Sequence, residues 1–153
     1  MSWNEAYAPE ERRRMAKGNH RVAITEVEDT VSKSSGKPML VVHFKTDIND
    51  RDYRTYYVQN DYFNANITEF FDKMGIERGN FDFDSWVGKM GGAYFDRDEN
   101  GYWKLFYLMD RSELDNLPAW EGEVPVSAKS IVDSFMSTIN EDGIPDAFAD
   151  PLL

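Results

Sequence analysis

What most restricts how this chain folds is the order in which its hydrophobic period changes. Stretches of period two come first. In 20–27, Val22 and Ile24 alternate with Arg21, Ala23 and Thr25, the pattern of a half-buried strand. Pro38 opens a second strand over 39–46, and a turn at Asn49-Asp50 leads to a third over 53–58. The period then lengthens: Phe63, Ile67, Phe70, Phe71 and Met74 fall at helical spacing, with Asn60 or Asp61 as cap and Gly75 as stop. After a further apolar patch (Phe81, Phe83, Trp86, Val87), two last strands over 88–95 and 102–109 flank the turn signal Asn100-Gly101.

Three strands, a helix and two strands is the order of the five-stranded oligonucleotide-binding (OB) Greek-key barrel, a mainly β fold. That barrel binds through strands two and three and the loops joining strands one–two and four–five, here 28–37 and 96–101. A generic α+β sheet with the same element order is the competing architecture. On this reading the barrel occupies 18–110. Before it, 1–17 is an extension in which Pro9, Glu10 and Glu11 precede Arg12, Arg13, Arg14 and Lys17, the charge order of a short helix that Gly18 stops. After it, 111–153 divides into an irregular acidic linker, a helix over 127–139 capped by Ser127, and a tail over 140–153. The apolar side of that helix (Ile131, Val132, Phe135, Met136, Ile139) would pack on the barrel or on a second copy, giving a homodimer.

Composition narrows the function. A chain of 153 residues suits one domain, and the absence of cysteine excludes disulfides, thiolate metal sites and cysteine nucleophiles. With two histidines and no cysteine, no dedicated metal site is expected. No apolar run spans a membrane, and the polar start Met1-Ser2-Trp3-Asn4-Glu5 lacks signal-peptide character, so a cytoplasmic location is expected. The net charge of −11 argues against a polyanionic partner. Its distribution weakens that argument: residues 110–153 hold ten acids and two bases, which leaves the first 109 residues at only −3.

Signals for catalysis are weak. Gly88-Lys89-Met90-Gly91-Gly92 lies inside a strand, where Gly91-Gly92 reads as a bulge or tight bend, not as a phosphate loop. His20 and His43 have no partner at metal or triad spacing. Asp82, Asp84, Asp96, Asp98 and Glu99 lack calcium-loop spacing and suit turns. The expectation is a non-enzymatic protein with no cofactor, no metal and no catalytic residue.

Aromatic and basic residues interleave instead. Arg51, Tyr53, Arg54 and Tyr56 lie on strand three, His43 and Lys45 on strand two, and Tyr102, Trp103 and Lys104 on strand five. Lys33 and Lys37 sit among small residues in a loop read as a flap over the sheet. Exposed rings between cations bind single-stranded nucleic acid without sequence preference, with stacking of about 1–3 kcal/mol per base.

Gly18-Asn19-His20-Arg21-Val22, the run Ser32–Phe44, Phe63…Phe70-Phe71…Met74-Gly75-Ile76 and Trp86-Val87-Gly88-Lys89 resemble a family of small phage proteins. These were long described only as a domain of unknown function and are encoded beside phage recombination and replication genes. The resemblance covers about 18–110. It implies a single-stranded-DNA-binding protein of phage replication or recombination, acting in the cytoplasm of an infected bacterial host. The acidic C-terminus is loosely similar to the tails with which such binders recruit phage or host replication proteins, which would make Phe148, Leu152 and Leu153 the partner-binding residues. Two rivals stand beside this reading: an acidic protein-interaction or DNA-mimic protein, and a metal-dependent nuclease using Asp82, Asp84 and Asp96.

Overall fold

The computed structural model of the chain describes residues 2–7 and 14–128, together with Ile131, Val132 and Phe135. Its elements are α1 (Trp3–Ala6), β1 (Gly18–Val31), β2 (Pro38–Lys45), β3 (Tyr53–Val58), α2 (Phe63–Met74), α3 (Phe83–Trp86), β4 (Met90–Arg97) and β5 (Trp103–Leu108). A 3-10 turn over Arg111–Asn116 follows. Every pairing is antiparallel, in the order β3-β2-β1-β4-β5. The two ends of that order, β3 and β5, come together and form a nearly closed barrel. This is an OB-like barrel, and its closure excludes the generic open sheet.

β1 runs further than its hydrophobic alternation. Glu28–Val31 stays in the ladder, opposite Val41–Pro38, so the connection to β2 is 32–37 and not 28–37. Alternation fails as a guide there because the end of β1 buries neither side; the backbone ladder carries it. Ser32 N–H donates to Lys37 O (2.8 Å) and Gly36 N–H to Ser32 O (2.7 Å), with Gly36 at a positive φ of 72°.

The core is built from inward residues of all five strands, among them Val22, Ile24, Val42, Phe44, Phe95 and Leu105. α2 turns Ile67, Phe70, Phe71 and Met74 onto it. Trp86 is wholly buried against Phe70 (5.0 Å between ring centres) and Phe71 (5.8 Å), and its indole N–H donates to Asn80 O at 2.8 Å. Gly75 ends α2 in the left-handed region, as expected. The other end differs: Tyr62 is the N-cap and makes no side-chain cap bond, while Asn60 Oδ1 accepts from Tyr62 N–H (2.9 Å) one turn earlier.

Gly91 and Gly92 are not a bulge. They stay in register opposite Val22 and Arg21, and the irregularity comes later, between Tyr94 and Phe95. Their role is close approach: a Cβ on Gly91 would lie 2.6 Å from Met74 Sδ and 3.1 Å from Lys73 O. The stretch after β5, expected as a loose linker, is fastened to the barrel. The Arg21 guanidinium donates to the carbonyls of Leu114 (3.2 Å), Leu117 (3.3 Å) and Pro118 (2.9 Å), and Arg111 donates to Met90 O (2.8 Å).

Of the expected helix over 127–139, Ile131 N–H bonds Ser127 O (3.1 Å), and Ile131, Val132 and Phe135 are exposed. The rest of it, the 140–153 tail with Phe148, Leu152 and Leu153, and residues 8–13 lie outside the described residues. The described part of the expected N-terminal helix, 14–17, is not helical. Among the described residues, no helix is long and apolar enough to cross a membrane.

Candidate nucleic-acid interface

β2 sends Leu40, Val42 and Phe44 into the core, so its alternate residues Val41, His43 and Lys45 face the other side. Register does the rest. On β3, Tyr56 stands opposite Val41 and Arg54 opposite His43; on β1, Glu28 stands opposite Val41 and Glu26 opposite His43. One outer surface therefore carries Glu26 and Glu28, Val41 and His43, Arg54 and Tyr56.

A groove of about 560 Å³ runs over this surface. Thr30, Met39 and Val41 line it from β1 and β2, Lys33 and Ser34 from the β1–β2 loop, and Arg54 and Tyr56 from β3. Tyr56 is 57% exposed. The groove thus combines the strand-two and strand-three side with the first inter-strand loop, the part of the OB barrel that receives oligonucleotides. Of the sequence-expected contacts, Lys33, Arg54 and Tyr56 meet here.

A chain of polar contacts lies beneath. His43 is only 4% exposed, with Nε2 2.6 Å from Glu28 Oε1 and Nδ1 2.9 Å from Asp52 Oδ1. Asp52 Oδ2 in turn accepts from Arg54 Nε at 2.7 Å, which orients the guanidinium without using its terminal nitrogens. Burial pushes the Asp52 carboxyl up, but the hydrogen bonds from Arg54 and His43 outweigh it and hold the group below its ordinary range.

The remaining expected contacts separate. His43 is on the expected side of β2 but is corrected as a nucleic-acid contact, because Glu28 and Asp52 enclose its ring. Tyr53 is corrected too: it is paired with Phe44, shares its inward side, and packs edge-on against Phe95 at 4.8 Å. Lys45 is half-buried and paired with Asp50 (3.1 Å), while Arg51 and Lys37 are exposed outside the groove lining. On β5, Trp103 packs against the core under Arg97 (4.5 Å) and Lys104 lies over Phe106 (5.4 Å), and Tyr102, just before the strand, is exposed. These three do not line the groove.

Two features escaped the sequence reading. Tyr94 stacks on Tyr107 (5.1 Å, planes 14° apart), joining β4 to β5 in an aromatic patch whose pairing only the register reveals. The second is the contact of His43 with acids fifteen and nine residues away, which no linear spacing rule detects. Among the described residues, Asp82, Asp84 and Asp96 do not gather as a metal-binding group; the trio whose ligand atoms do lie close together is Glu26, Glu28 and His43. No family model matches the chain, and no curated protein matches it at a significant level.

Proposed function

We propose that the chain binds single-stranded DNA, without sequence preference and without chemistry, along the β2–β3 groove. The observation that carries this reading is the lining of the groove: an exposed Tyr56 ring together with Arg54 and Lys33, on the side of the barrel that OB folds use. Tyr56 offers a stacking face and the two cations meet phosphates, while Val41 and Met39 give the bases an apolar floor. The resemblance to phage single-stranded-DNA-binding proteins supports a role in replication or recombination in the host cytoplasm, with partners reached through the acidic tail. Anisotropy titration of a labelled oligo-dT at two salt concentrations tests it. Saturable binding is expected, with log K falling by about 0.7 per phosphate contact for each decade of salt. No binding at low salt would sink it.

A second reading keeps one observation in its favour. A net charge of −11, with ten acids after residue 109, suits a protein that occupies a basic partner in place of DNA. The same titration separates the two, since a DNA mimic leaves the oligonucleotide free.

A further inference from the structure

We propose that Glu26, Glu28 and His43 bind one divalent transition-metal cation of the zinc, cobalt or manganese class on the outer side of β1 and β2. The three side chains each offer a ligand atom, and those atoms lie within 4.8 Å of one another. Glu26 and Glu28 are neighbours on one side of β1, and Glu26 pairs directly with His43 in the ladder.

The placement of the His43 ring points to the cation. Its Nδ1 lies 2.9 and 3.1 Å from the two oxygens of Asp52, so that nitrogen is taken up by the carboxylate behind the ring. Its Nε2 is turned the other way, toward the glutamates, 2.6 Å from Glu28 Oε1. The Glu26 carboxylate stands beside them and takes part in no hydrogen bond or ion pair among the described residues; a metal at Nε2 draws in both glutamates, where the His43–Glu28 contact engages one.

The surroundings fit. The side chain of His43 is 6% exposed and therefore held in place, and the carboxylate behind it is itself fixed by Arg54. A carboxylate on the far nitrogen is the usual support of a metal-bound imidazole. Three carboxylates, those of Glu26, Glu28 and Asp52, stand around the ring, and Asp52 is the one paired with the Arg54 guanidinium. One imidazole with two carboxylates favours borderline transition ions over calcium or magnesium, which prefer oxygen alone. Both glutamates are exposed, so positions remain open for water or a further ligand.

The test uses the full chain without DNA, so its outcome is separate from that of the nucleic-acid reading. Cobalt is titrated and followed by its visible d–d absorption, then displaced by zinc; calorimetry gives zinc affinities. One cobalt per chain is expected, displaced by stoichiometric zinc and not by excess calcium. Glu26→Gln and Glu28→Gln lie on the surface and should keep the circular dichroism of the parent while weakening zinc by at least about tenfold. Asp52→Asn should weaken it by about 10–100-fold. The proposal is overturned if millimolar zinc and cobalt do not bind. It is equally overturned if calcium competes as well as zinc, or if both glutamine variants bind like the parent, since acids elsewhere would then hold the ion.

Discussion

Tyr56 and Arg54 are two residues apart on β3, and that spacing was enough to put them on one side of the strand. The residues between and before them were not legible in the same way. Tyr53 also carries an aromatic ring beside a cation in sequence, but only the pairing with Phe44 shows that it points inward. His43 was legible as outward and not as enclosed, because its cover comes from Glu28, in a stretch with no strand alternation, and from Asp52. Two expectations belong at this scale. Tyr56→Ala removes an exposed ring without touching the core, so it should weaken oligo-dT binding by about 1–3 kcal/mol at unchanged thermal stability. Asp52 has its folded pKa lowered, so its contribution is fully present above the ordinary aspartate range, near pH ~4, and is lost as the pH falls through the lower folded value. Thermal melts should therefore show a larger loss between pH 7 and pH 3 for the parent than for Asp52→Asn. The side chain is 43% exposed, so solvent screens the effect and added salt should narrow the difference.

Elements were read best where one side of them is buried. β3 has its expected span, and α2 its expected apolar positions and C-terminal stop, because the barrel core imposes periods of two and 3.6 on them. β1 was read short, since its far end buries neither side, and backbone hydrogen bonds to a neighbouring strand leave no trace in side-chain pattern. Gly91 was noticed for the right reason, a strand glycine, with the wrong cause attached. The cause is α2, whose last turn lies directly over β4. Gly91→Ala should force Met74 and the Lys73 carbonyl aside and cost about 1–3 kcal/mol in urea unfolding, with the urea dependence itself unchanged.

At the scale of the whole molecule, charge was the most visible property and the least placed. The tail over 140–153 adds Glu141, Asp142, Asp146 and Asp150 with no base, tethered to a groove whose cations are Lys33 and Arg54. A tethered polyanion competes at an effective concentration of order millimolar. Deleting 140–153 should therefore tighten oligo-dT binding, most at low ionic strength; equal or weaker binding would assign the tail to other partners. The attachment of 111–126 through Arg21 was invisible in sequence, since the acceptors are backbone carbonyls that any residue supplies. The nearly closed barrel has one last consequence, in time instead of space. β3 and β5 meet without sharing a hydrogen-bond ladder, whereas at Ala23 the ladders to β2 and β4 coincide. The wall of the barrel is therefore graded: a seam that parts by small excursions, and opposite it a line of amides released only when the whole domain opens. In deuterated water the chain should label in that order, with amides along the seam exchanging first and those around Ala23 last.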